Sequence, residues 1–154
     1  GDESWRRHLE HDMLGAVRLV ESSMEYLEAS DNGNIVMIST TAALEKFIQA
    51  GAYNALKAAL LQYSGALSQD LAPKGIRVNA VSPGPIFVEG GSWDNIKQNM
   101  TAFYEATVAD IPLGRMGSAE EVAAQVVLLA SPRAAFTTGT NVVIDGGITK
   151  RIQY

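Results

Sequence analysis

The hydrophobic residues near the start of the chain fall on one helical face. Between residues 5 and 27, Leu9, Met13, Ala16, Val20, Met24 and Leu27 recur at steps of three and four, which predicts a long amphipathic helix. Ser30-Asp31-Asn32-Gly33 supplies its stop and a turn. Ile35-Val36-Met37-Ile38 is then apolar without alternation and partly β-branched, the pattern of a strand buried on both faces of a parallel sheet. A second helix is predicted over residues 52–71, rich in Ala and Leu, ending near Pro73-Lys74-Gly75 and leading into a strand over 76–81. Ser82-Pro83-Gly84-Pro85 breaks the chain, and residues 86–110 read as a polar and aromatic excursion with one short helix. Ser118-Ala119-Glu120-Glu121 marks the start of a helix through Ala130, and a last strand is predicted over 141–144, closed by Asp145-Gly146-Gly147. Strands separated by helices imply right-handed parallel crossovers, so the expected fold class is α/β with a doubly wound parallel sheet.

Composition narrows this picture without changing it. A chain of 154 residues is expected to form one domain. Twelve Lys and Arg against seventeen Asp and Glu give a net charge of −5, scattered along the chain, which argues against a nucleic-acid partner. No run approaches the ~18 apolar residues of a membrane span, and no signal peptide is evident, so a protein without membrane attachment is expected. Without cysteine there is no disulfide framework, thiol nucleophile or Cys-ligated metal, and a cytoplasmic setting fits. His8 and His11 lie three apart on the first helix and read as a solvated face rather than a metal site. No metal is expected. A dinucleotide-binding domain normally opens with a strand, a Gly-rich turn and a helix, and no such turn occurs here. The expectation is therefore a chain that begins mid-domain, either a fragment or a chain completed by another segment.

Two side chains suggest chemistry. Tyr53 and Lys57 sit four apart at the start of the second helix and project from the same face. A phenol with a pKa of ~10 is poorly matched to neutral pH, and a neighbouring ammonium stabilises the phenolate, so Tyr53 can serve as a general acid or base. Ser39 and Thr40 end a predicted strand, and in open α/β sheets the ligand crevice lies beyond the carboxyl ends of the strands. Pro83-Gly84 follows the next strand at the corresponding end, where a glycine lets backbone approach a ligand.

With these residues in place, nearly the whole sequence resembles the short-chain dehydrogenase/reductase family. Residues 34–40 look like its strand ending in the catalytic serine, and Tyr53-Asn-Ala-Leu-Lys57 matches its Tyr-x-x-x-Lys motif. Lys74-Gly-Ile-Arg-Val-Asn-Ala-Val-Ser-Pro-Gly84 is similar to the strand and Pro-Gly turn beside the nicotinamide. Pro112-Leu-Gly-Arg-Met-Gly117, Glu120-Glu-Val-Ala123 and Thr138-Gly-Thr-Asn-Val-Val-Ile-Asp-Gly-Gly147 resemble the C-terminal signature.

The resemblance implies the C-terminal part, over residues 1–154, of a single Rossmann-type oxidoreductase domain that interconverts a ketone and a secondary alcohol with NAD or NADP. Tyr53 would exchange the proton with the substrate oxygen, and Lys57 would lower its pKa and hydrogen-bond the nicotinamide ribose. The substrate-polarising hydroxyl, usually Ser thirteen positions before the Tyr, falls on Thr40, with Ser39 as the alternative. The family's Asn on the preceding long helix, whose backbone carbonyl holds a relay water, falls on Asp12. Pro83, Gly84 and Ile86 align with the nicotinamide contacts, while the usual hydroxyl two residues beyond Ile86 is replaced by Val88. Trp93, Phe103 and Tyr104 fall where the family carries its substrate lid, either as an apolar substrate pocket or as helix packing. A small carbonyl or alcohol substrate and a homodimer or homotetramer follow by resemblance. The competing reading is a non-catalytic member of the same fold serving as a binding or oligomerisation module. Reduction of an enoyl thioester is less expected, because enoyl reductases usually space Tyr and Lys more widely.

Overall fold

The computed structural model describes residues 1–47 and 49–152. Three strands, β1 (Asn34–Ile38), β2 (Arg77–Pro83) and β3 (Asn141–Ile144), form one parallel sheet in the order β1-β2-β3. Ile38 is paired with Val81, and Pro83 with Ile144, so the strands end side by side at one edge. Parallel pairing requires long connections. Helix α3 (Ala52–Leu71) lies in the first of these and α6 (Ala119–Ala130) in the second.

Alternation along β2 shows how the layers close. Val78 and Ala80 face one way, into clusters with Leu60 and Leu71 of α3 and with Val20, Met24 and Leu27 of helix α2 (Gly15–Ala29). Arg77 and Asn79 face the other way, toward the end of α6 and the segment after it. Helices therefore cover both faces, giving the doubly wound, Rossmann-like arrangement in partial form. The fully buried strand is β2 and not β1, contrary to the expectation from its apolar run: Ile38 is 46% exposed. Among the described residues β2 is paired on both sides, whereas β1 is paired along one edge only.

Buried Arg77 ties the sheet to α6. Its guanidinium donates to the Leu129 carbonyl at 2.7 Å and to Asn32 Oδ1 at 3.1 Å, satisfying a carbonyl that the helix end leaves without a partner. Arg77→Met in the complete protein should cost about 2–3 kcal/mol, the worth of a charged hydrogen-bond donor removed from buried acceptors. Urea denaturation measures it, and an unchanged midpoint would show that water takes over the cap. At the other end of α6, Ser118 and Glu121 form a capping box. Arg115 donates to both Glu121 carboxylate oxygens, at 2.6 and 2.8 Å, and with the Ser118 N–H holds that carboxyl down at about 2.

Two predicted elements differ in form. The excursion after β2 contains two helices, α4 (Ser92–Asn99) and α5 (Thr101–Asp110), broken at Met100 where φ is −139° and ψ 49°. The first long helix is helical from Asp2 to Ala29 but passes through a π segment, Leu9–Leu14, between α1 (Asp2–His8) and α2. There the Gly15 N–H reaches back five residues to the Glu10 carbonyl. The wider turn absorbs one residue and slips the apolar stripe upstream of it. Leu9, expected on the buried face, is 44% exposed, and half-buried His8 turns inward instead.

Candidate active site at the carboxyl edge of the sheet

The strand ends open into a cleft of about 510 Å³. Ser39 and Thr40 enter it from the end of β1, Pro83 and Gly84 from the end of β2, Tyr53 from the first turn of α3, and Ile86, Val88 and Trp93 from the segment beyond β2. These residues, separated by up to about a third of the chain, thus meet because parallel strands deliver their carboxyl ends to the same edge.

Tyr53 is 41% exposed on the cleft side of α3. Lys57, one turn on, is held more tightly. Its Nζ donates to the Ile38 carbonyl at 3.1 Å and lies 3.2 Å from Asp12 Oδ1, with only 14% of the side chain exposed. The end of β1 and the π segment thereby fix the ammonium from two sides. Ser39 is buried, and its hydroxyl donates to the Lys57 carbonyl at 3.0 Å, pinning α3 to the strand end. Thr40 differs. Its Oγ1 accepts from the Ala42 N–H at 3.3 Å, which leaves the hydroxyl hydrogen free for the cleft.

Asp12 stands at the centre of a second arrangement. Its Oδ2 is 2.7 Å from His8 Nδ1, and its Oδ1 faces Lys57. Burial works against the charged carboxylate, but hydrogen bonds from His8 and Lys57 outweigh it and hold the group below its ordinary value. The reading of His8 as part of a solvated helix face is corrected here: the π turn aims it at Asp12 and at the Tyr53 ring, 5.7 Å away. The four-residue spacing of His8 and Asp12 was the available signal. His11 remains exposed, and among the described residues no three metal-ligating side chains converge.

The Pro83-Gly84 turn has a reason beyond ligand access. A Cβ on Gly84 would lie 2.6 Å from Asp145 Cβ, so glycine is required where β2 and β3 end together. Ile86 forms a parallel bridge with Gly117 through the Pro85 carbonyl and the Phe87 N–H. In such a bridge the central residue's own N–H and C=O point away from its partner. One donor and one acceptor are thus available beside the cleft, the pair that a nicotinamide carboxamide would match. Val88 lines the same wall, is 48% exposed, and offers no hydroxyl. Of the three lid aromatics, Trp93 faces the cleft. Phe103 stacks on Trp93 with rings 6.0 Å apart, Tyr104 meets it edge-on at 6.5 Å, and both serve helix packing.

Residues 1–149 match the family model described as enoyl-(acyl carrier protein) reductase. A short chain oxidoreductase from Pseudomonas aeruginosa PAO1, described as containing an atypical catalytic center and solved with NADPH bound, superposes with a TM-score of 0.89 at 28% identity, covering 99% of this chain and 60% of that one. The chain belongs to the short-chain dehydrogenase/reductase family. Among curated family members, isoepoxydon dehydrogenase of Aspergillus clavatus is 44% identical over 153 residues, 99% of this chain and 59% of the relative. Trans-4-hydroxycyclohexanecarboxylate dehydrogenase of Sinomonas cyclohexanicum is 34% identical over 147 residues, 96% of this chain and 52% of the relative. The chain therefore spans little more than half the length of the family members it matches.

Proposed function

We propose that the complete protein is an NAD- or NADP-dependent oxidoreductase that interconverts a ketone and a secondary alcohol, with Tyr53 as general acid and base. The observation that carries this reading is the placement of Tyr53 and Lys57 on successive turns of α3, with Lys57 anchored between Ile38 and Asp12 beside the cleft. A bound nicotinamide supplies or accepts the hydride at the substrate carbon.

The chain's own residues do the rest. In the reducing direction, Tyr53 gives its hydroxyl proton to the substrate oxygen, and the Lys57 ammonium stabilises the phenolate left behind. Thr40 donates a hydrogen bond to that oxygen and polarises the carbonyl. Thr40 suits this role better than Ser39, whose hydrogen is committed to the Lys57 carbonyl. Pro83, Gly84 and the free backbone groups of Ile86 would hold the carboxamide face of the nicotinamide. Asp12 holds Lys57 in place with a carboxylate.

Trp93 and Val88 make the substrate side apolar, which suits a ring-bearing substrate, and the hydroxycyclohexanecarboxylate dehydrogenase among the relatives acts on such a compound by name. Leu19 and Tyr26, exposed on one side of α2, support a homodimer or homotetramer, and a chain without cysteine suits the cytoplasm.

The test is to screen the complete protein against cyclic ketones and secondary alcohols with both nucleotides, following absorbance of the reduced form. Turnover of at least one such pair is expected. Nucleotide binding with no turnover across the screen would favour the non-catalytic reading.

A further inference from the structure

His8 is held in an arrangement that the proposed chemistry leaves unused. Its Nδ1 is 2.7 Å from Asp12 Oδ2, and the other oxygen of the same carboxylate is 3.2 Å from Lys57 Nζ. The imidazole leans on the Tyr53 ring at 60° and retains 21% of its side-chain surface. An ionised carboxylate only accepts hydrogen bonds, so the neutral ring must carry its proton on Nδ1 and present a lone pair at Nε2. Among the described residues, the titratable groups that meet His8 are Asp12 on its own helix and Tyr53 on α3, and Lys57 meets the other oxygen of Asp12. An unbroken line of exchangeable groups therefore runs from a partly exposed imidazole to the ammonium one helical turn from Tyr53.

We propose that His8 is a positioning residue and proton port, holding Asp12 against Lys57 and returning to Tyr53, by way of those two groups, the proton spent in each turnover. The proposal rests on Tyr53 being the general acid and base. In the reducing direction the Tyr53 O–H bond breaks as the substrate O–H bond forms. A Lys57 N–H bond then breaks to restore the Tyr53 hydroxyl. His8 takes a proton from water at Nε2 and releases its Nδ1 proton to Asp12, whose carboxyl turns and passes it to the Lys57 amine. Exchange with water resets the imidazole tautomer. The sum is one proton moved from water to the substrate oxygen, and no residue is oxidised or reduced. The Asp12 side chain itself carries the charge and has a titratable partner on its outer side.

The test compares His8→Ala, His8→Gln and Tyr53→Phe in the complete protein. In dilute buffer His8→Ala should lower kcat about tenfold with KM within about twofold, and added imidazole should restore most of the loss, because a mobile base replaces the missing port. His8→Gln keeps a donor for Asp12 but cannot relay a proton, so it should stay slow in dilute buffer. A second readout needs no turnover. Nitrogen NMR of the parent without nucleotide should show His8 as the Nδ1–H tautomer, and Asp12→Asn should abolish that preference. The port is overturned if His8→Ala keeps parent kcat in every buffer, if His8→Gln recovers fully, or if His8 shows no tautomer preference. Those results with an inactive Tyr53→Phe would reject the port alone, whereas an active Tyr53→Phe would reject the reading beneath it.

Discussion

Tyr53→Phe in the complete protein should lower kcat by about 10³-fold, within the range that positioned acid-base groups contribute, while leaving the fold and nucleotide affinity nearly unchanged. The substitution removes one oxygen and keeps the ring. Tyr53 is 41% exposed, so the lost hydroxyl leaves no buried partner stranded, and the ring can still meet His8 as it does now. Lys57 stays anchored to the Ile38 carbonyl and to Asp12, since neither contact involves Tyr53. The expected pattern is thus lost turnover with intact binding, measured by steady-state kinetics beside nucleotide fluorescence titration and a thermal melt. If Tyr53→Phe keeps most of the parent's kcat, another group moves the proton.

Much of the site was legible because its residues lie at strand ends and on one helix, where spacing fixes direction. The predicted helix over residues 52–71 appears as Ala52–Leu71, with punctuation on both sides, and its first two turns carry Tyr53 and Lys57 on one face. Thr40 and Pro83-Gly84 were placed by the rule that parallel strands open their carboxyl ends to one crevice, and the cleft there is lined by these residues. What periodicity could not reveal was the π segment. Steps of three and four are equally present with or without one wide turn, so the pattern alone puts His8 on the solvent side and Leu9 on the core side. Among the described residues, three strands leave the first with one unpaired edge, and β1 stands there while β2 is paired on both sides. An apolar run reports what a strand tolerates, whereas pairing on one or both sides decides how much of it is covered. The second demand on Gly84 is not legible in the sequence, because its close approach to Asp145 joins segments about sixty residues apart.

Lys57→Met tests the other half of the pair and should give a different pattern, in which catalysis and nucleotide binding fall together. Turnover should drop by about 10²–10³-fold, because the phenolate of Tyr53 loses its neighbouring positive charge. Nucleotide affinity should weaken about tenfold, the equivalent of one charged hydrogen bond to the nicotinamide ribose. Asp12 provides an internal control on the geometry. Burial opposes its charged form, and the bonds from His8 and Lys57 together hold its carboxyl below the ordinary value. With Lys57 gone, only His8 remains, and the carboxyl must titrate at higher pH than in the parent. A carboxylate with a lowered folded-state value adds stability above its unfolded value of about 4, and that stability is lost as the pH falls through the folded value. The stability gap between parent and Lys57→Met should therefore be widest near neutral pH and narrow as the pH drops below about 4. Carbon NMR of the Asp12 carboxyl follows its titration directly, and urea denaturation at several pH values follows the gap. An unchanged Asp12 titration would mean that the 3.2 Å contact with Lys57 is not maintained in solution. Parent-like turnover and nucleotide affinity in Lys57→Met would remove Lys57 from the active site altogether.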